Sequence, residues 1–237
     1  MPTGCKAIDL LLGGGLHAGM ITDVYGEGGS GKTQLCFTIC GRNAKLFKKV
    51  KDIAIVFVDT SGTFRPERIT EIASDNGHEI LDKILVIRTL SYMDQIRSIE
   101  KIVEISPKLL IVDGIASLFT VNRHGIARHL ALMNHLHKLS LVAINLGCPV
   151  IITNMIRSRL SDSGVPTLIH SQEDKHLPED STRELMGTSL SIYTHMKLML
   201  SIVQPNKQLF KAVIKQPRRD KHAYYTITKS GISDVSL

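Results

Sequence analysis

The chain has 237 residues, 43% of them hydrophobic and 22% charged, a balance that supports a large buried core and excludes a disordered or fibrous chain. No apolar run approaches the ~20 residues of a membrane-spanning helix, and the start, Met1 to Cys5, lacks the charged-then-apolar layout of a secretory signal. The formal net charge of +7 suits polyanionic partners as readily as it suits a solvated face.

In chain order, Met20–Tyr25 reads as a short strand that runs into Gly26-Glu27-Gly28-Gly29-Ser30-Gly31-Lys32-Thr33, and Lys32 to about Leu46 reads as the helix that follows. Ile53–Val58 is an unbroken apolar, β-rich run ending at Asp59, the pattern of a parallel strand covered on both faces. Pro66 to about Asp75 suits a helix with proline in its first turn, Ile84–Ile87 a strand, and Met93–Ile105 a helix with Ile96, Ile99, Ile102 and Val103 at helical spacing. Leu109–Val112 is a second buried strand ending in an acid, Asp113; Ala127–Leu146 is a helix without internal Gly or Pro; Pro149–Thr153 is a strand. This alternation predicts a parallel sheet with helices on both faces. Arg157 to about Arg183 is polar and reads as a long functional loop, and three further strands are expected near Thr194–Val203, Gln208–Lys215 and Ala223–Thr228. Cys5, Cys36, Cys40 and Cys148 form no CxxC pair or metal-ligand spacing, which predicts reduced core thiols and a cytoplasmic protein. No Zn-type spacing joins the ten histidines; His135 and His137, two apart on a helix, face different sides.

The glycine-rich segment carries the chemistry. Glycines let successive backbone N–H groups turn into one concavity around phosphates; Lys32 would reach the β- and γ-phosphates and the Thr33 hydroxyl would ligate Mg²⁺. A nucleoside triphosphate with Mg²⁺ is therefore the expected ligand, held by Gly26, Glu27, Gly28, Gly29, Ser30, Gly31, Lys32, Thr33 and Gln34. Asp113, at the end of its buried strand, is the expected acid that holds a Mg²⁺-bound water.

With these residues placed, the sequence resembles the ATPase core of the RecA/RadA recombinase family. Thr3-Gly4-Cys5-Lys6 with Leu12-Gly13-Gly14-Gly15, then Gly31 to Cys36, Leu109 to Asp113 and Val150 to Asn154 all match its pattern; Asp59-Thr60-Ser61-Gly62-Thr63-Phe64-Arg65-Pro66-Glu67-Arg68 is the most specific match. The resemblance implies a RecA-type phosphate-loop core over residues 1–237, one domain, with a mostly parallel twisted sheet, helices on both faces and a C-terminal antiparallel extension. It implies ATP as the nucleotide and DNA, single-stranded or branched, as the macromolecular ligand, with the main RadA-type recombinase as a further partner.

Departures from the pattern indicate the branch. The chain opens almost at the core, without the helical domain and polymerisation linker of full recombinases, and so is similar to the archaeal RadB paralogues; a shortened recombinase is the alternative. A monomer or small oligomer is expected rather than a long filament. Where the family places the glutamate that polarises the attacking water, this chain has Ser61, which is no general base near neutral pH. Where the family places a γ-phosphate-sensing glutamine, it has Met155. Arg68 occupies the adenine-stacking position, and a guanidinium plane can stack on a base. These substitutions predict an ATP-binding accessory protein with weak hydrolysis. An active strand-exchange enzyme and a signalling ATPase of the clock-protein type are the competing readings, and the Thr60–Arg68 segment argues against the latter.

The family's DNA-facing loops map onto Thr120–Ile126, offering Arg123 and His124, and onto the segment from Arg157, offering Arg157, Arg159, Lys175 and Arg183. The second also contains six acids, and neither contains Phe, Tyr or Trp. Between Lys197 and Lys229, by contrast, eight basic residues face one acid, so Lys215, Arg218, Arg219 and Lys221 are the expected phosphate contacts. A second basic cluster, Arg42, Lys45, Lys48, Lys49 and Lys51, follows the phosphate-loop helix.

Overall fold

The computed structural model describes residues 1–48, 50, 52–74, 77–120, 125–158, 182–217 and 221–235. Its strands are β1 (Ile21–Gly26), β2 (Ile55–Asp59), β3 (Ile84–Arg88), β4 (Leu109–Asp113), β5 (Val150–Ser158), β6 (Thr182–Glu184), β7 (Met196–Gln204), β8 (Leu209–Gln216), β9 (His222–Thr228) and β10 (Gly231–Asp234). They form a mixed sheet in the order β10-β9-β8-β7-β1-β5-β4-β2-β3, with β6 paired to β5. From β7 through β3 the neighbours are parallel; β7 to β10 are antiparallel.

The helices are α1 (Lys6–Leu11), α2 (Lys32–Arg42), α3 (Ala44–Phe47), α4 (Pro66–Ala73), α5 (Gly77–Leu81), α6 (Tyr92–Ile105), α7 (Gly125–Leu146) and α8 (Gly187–Tyr193). Successive strand side chains point to opposite faces, and the two faces build separate cores. Val24, Ile55, Phe57, Ile111 and Leu198 pack against α1 to α5, while Ile21, Val56, Val58, Val112 and Ile152 pack against α6, α7 and α8. Every residue of β2 and β4 is buried, which explains their unbroken apolar runs. All four cysteines are buried and unbridged.

Several sequence-based boundaries are corrected. The helix expected over 32–46 breaks at Asn43, whose side-chain amide donates to the carbonyls of Pro2 and Ile39 at 2.9 and 2.8 Å; such local bonding competes with the helical ladder. Helix α6 begins one residue early because Ser91 and Asp94 form a reciprocal capping box. The long polar loop is shorter at both ends, since β5 runs on to Ser158 and returns through β6; residues 159–181 lie outside the described set. The C-terminal extension has a fourth strand, β10, whose Asp234 carboxylate accepts N–H bonds from Lys6 and Ala7 and so fastens α1.

Candidate functional site at the strand ends

Parallel α/β sheets place ligands beyond the carboxyl ends of their strands, and there the chemistry-bearing residues converge. The loop leaving β1 takes left-handed backbone at Gly29 (φ 80°) and Gly31 (φ 93°), which non-glycine residues adopt only under strain. Lys32 Nζ donates to the carbonyls of Gly26 and Glu27 at 3.0 and 2.7 Å, so its ammonium is held over the concavity. Burial lowers its pKa, against the opposing pull of Asp113 and Glu27. Thr33 Oγ1 donates to Asp113 Oδ2 at 2.9 Å.

Asp113 is nearly buried and receives two more hydroxyls, Thr153 Oγ1 on Oδ1 at 2.5 Å and Thr63 Oγ1 on Oδ2 at 3.3 Å. Burial, with the nearby charge of Asp59, raises its pKa despite these bonds. Asp59 and Asp113 are register partners on β2 and β4, yet their environments differ. Asp59 collects the backbone N–H groups of Ser61, Gly62, Thr63 and Phe64 at 2.8–3.2 Å. Burial alone would push its carboxyl up; those four donors outweigh it and hold the pKa down. Asp59 therefore shapes the turn that presents Ser61, whose side chain is exposed.

These residues fit Mg²⁺ and a nucleoside triphosphate. A pocket lined by Gly29, Gly31, Lys32, Thr33, Gln34 and Ile227 opens at the loop, and Lys32 holds carbonyl oxygens where phosphate oxygens would be stronger acceptors. The ion would neutralise phosphate charge, with Thr33 and Asp113 as the holding pair. Met155 lies on β5 in register with Gly26, the first loop residue, and is 48% exposed, so the position beside the loop carries no hydrogen-bonding side chain. Arg68 adjoins the same pocket: its Nε donates to Gln34 Oε1 at 2.9 Å, and its terminal nitrogens bond Glu71 and the carbonyls of Thr228 and Lys229. These four bonds fix the orientation of the guanidinium beside Gln34.

Contacts far apart in sequence seal the loop. Glu27 Oε1 accepts the Ile202 N–H at 2.8 Å, and the buried Tyr225 hydroxyl donates to the Ser30 carbonyl at 2.6 Å. The C-terminal sheet is thus the back wall of the phosphate loop. Tyr225→Phe should cost about 1–2 kcal/mol, because a buried carbonyl loses its donor, and lower the melting temperature by roughly 2–8 °C in a chain of this size; thermal unfolding monitored by circular dichroism checks it.

The basic residues separate into distinct groups. Lys197 leaves the surface: it is 5% exposed, lies 3.2 Å from Asp23 Oδ2 and also bonds Glu184. Two carboxylates share this one ammonium, and burial followed by repulsion from Glu184 pushes the Asp23 pKa well up. Arg157, Lys215 and Lys221 are exposed; Arg123, Arg159, Arg218 and Arg219 lie outside the described residues. A feature missed in the sequence is the outward face of β8 and β9. It carries Lys211 beside Tyr224 and Val213 beside His222 in register, with the His222 and Tyr224 rings 5.5 Å apart. No acid occurs in residues 199–215 or 222–228.

Strand order, loop and strand-end aspartates together define a RecA-type phosphate-loop core. Residues 1–235 match the family described as Rad51. The chain is 30% identical over 247 residues to the DNA repair and recombination protein RadA of Metallosphaera sedula, covering 98% of this chain and 72% of that protein. It is 31% identical over 249 residues, with the same coverages, to RadA of Ignicoccus hospitalis. To the meiotic recombination protein DMC1 homolog A of Oryza sativa subsp. indica it is 31% identical over 245 residues, 98% of this chain and 68% of that one. The chain belongs to the Rad51 family. Among the described residues no helix is long and apolar enough to cross a membrane.

Proposed function

We propose that this chain is an ATP- and DNA-binding accessory protein of homologous recombination and repair, RadB-like, which holds Mg²⁺ and ATP in a single ATPase domain and hydrolyses the nucleotide slowly or not at all. One asymmetry carries the reading. Thr33 is hydrogen-bonded to Asp113 and Lys32 is held on the loop carbonyls, a set suited to holding nucleotide, whereas an exposed Ser61 and an exposed Met155 stand where a water-polarising carboxylate and a phosphate-sensing amide are expected. In this reading Arg68 stacks on the base, and the partners are single-stranded or branched DNA and the main RadA-type recombinase. Localisation is cytoplasmic.

The test is steady-state ATP turnover with and without single-stranded DNA, beside nucleotide affinity. Firm binding with negligible, DNA-independent turnover is expected; turnover that climbs steeply with DNA would overturn the reading. That second outcome belongs to an active DNA-dependent recombinase, a reading favoured by alignment with RadA over 98% of the chain.

DNA contact is assigned to the C-terminal basic region, with Arg123, Arg157 and Arg159 as lesser contributors. Exposed Lys215 and Lys221 flank a sheet face on which Tyr224 offers a stacking surface and Lys211 a phosphate contact. Neutralising Lys215, Arg218, Arg219 and Lys221 together should weaken single-stranded DNA binding and flatten log Kd against log salt by about 0.7 per lost phosphate contact. Fluorescence anisotropy across a salt series checks this, and an unchanged slope would remove the assignment.

A further inference from the structure

We propose that two copies of this chain associate by packing α7 against α7, antiparallel about a two-fold axis. Helix α7 spans 22 residues, about 33 Å. Its inner face, with Leu132, Leu136, Leu139 and Ala143, is fully buried. Its outer face is also apolar: Ile126 is 80% exposed, Leu130 62%, Leu141 43% and Ile144 60%. At 3.6 residues per turn these four fall on one stripe, with Asn134 and His137 between the two pairs. A solvated helix face normally carries charges there; among the described residues no acid occurs on α7, and Lys138 is the one lysine.

The spacing selects the occupant. Ile126 and Leu130 lie nearly as far before the helix midpoint as Leu141 and Ile144 lie beyond it. An antiparallel second copy therefore covers each pair with the other, the self-complementarity that a two-fold interface requires. Parallel packing would set Lys138 against Lys138 and His137 against His137; antiparallel packing separates both pairs and places His137 opposite Asn134. Ile192 on α8, 61% exposed, extends the patch beside Tyr193, whose ring meets His137 at 5.9 Å. Five such side chains supply on the order of 400 Å² of apolar core, and with a polar rim that approaches the ~800 Å² per partner of a standard interface. The stripe belongs to the helix layer on the opposite sheet face from α1 to α5.

Sedimentation equilibrium of the full chain at micromolar to tens-of-micromolar concentration should give a dimer. Leu130→Glu combined with Ile144→Glu should weaken association at least ~100-fold, because charges would be buried without partners, while the circular dichroism spectrum and nucleotide affinity stay unchanged. Mixing an Ile126→Cys variant with an Ile144→Cys variant under mild oxidation should give the mixed 126–144 disulfide over the 126–126 product; the native cysteines are buried. A monomer throughout, a dimer indifferent to the paired glutamates, or preferential 126–126 linkage would each overturn the proposal. A monomer that instead binds an acidic amphipathic helix would assign the stripe to a different protein.

Discussion

Lys32→Met should weaken binding of ATP in the presence of Mg²⁺ by about 100-fold or more, a loss of roughly 3 kcal/mol that corresponds to one or two charge-assisted hydrogen bonds to phosphate. The same substitution should change the stability of the unliganded protein little, because relief of a partly buried charge opposes the loss of two donors to loop carbonyls. Burial lowers the Lys32 pKa, so the folded state disfavours the ammonium relative to the unfolded chain, and replacing it removes an unfavourable group. Methionine keeps the aliphatic stem and loses only the donors to the Gly26 and Glu27 carbonyls. Isothermal titration beside thermal unfolding separates the two effects. Equal losses of affinity and stability would make Lys32 a structural strut; lost affinity with retained stability makes it a ligand-binding group. Thr33→Ala should lower affinity mainly where Mg²⁺ is present, since it removes one of the two groups assigned to the ion.

Legibility in the sequence depended on how local the physics is. The phosphate loop is a contiguous segment whose glycines, lysine and threonine act on one ligand, so its chemistry can be read without tertiary knowledge. Asp59 and Asp113 were visible for a related reason, as acids closing the buried runs of β2 and β4. Their division of labour was not. Only the fold shows Asp59 spent on four backbone N–H groups while Asp113 faces three threonine hydroxyls. Pairings across long separations left no trace in periodicity. Tyr225 reaches Ser30 across 195 positions, and Arg68 reaches Thr228 at the end of β9 across 160; neither Tyr225 nor Thr228 carries a motif. Charge was misleading in one instance, for Lys197 counts as basic surface in the sequence and is buried between two carboxylates in the fold. The reverse held for Tyr224, an ordinary strand residue by pattern that strand alternation places on an open, acid-free face beside Lys211.

Ser61→Glu should raise ATP turnover by about 10²–10⁴-fold over the unmodified chain, the usual contribution of a positioned general base. The local geometry favours a clean gain. The turn is held through backbone N–H groups donated to Asp59, so its shape does not depend on the side chain at 61. That side chain is exposed, and a Cβ placed on Gly114, the residue after Asp113, would lie 3.3 Å from Ser61 Oγ. A carboxylate at 61 would therefore stand beside the group assigned to the ion. It adds negative charge near Asp59 and Asp113, which should strengthen Mg²⁺ dependence. Met155→Gln tests the other missing group, on β5 directly beside Gly26; combined with Ser61→Glu it should make the restored turnover respond to single-stranded DNA, whereas Ser61→Glu alone should not. Phosphate release measured for the two single variants and the double variant decides the matter. Unchanged turnover in Ser61→Glu, with nucleotide affinity retained, would mean that hydrolysis is limited by something other than the missing carboxylate, and the reading of this site as a holder of nucleotide short of one catalytic group would fall.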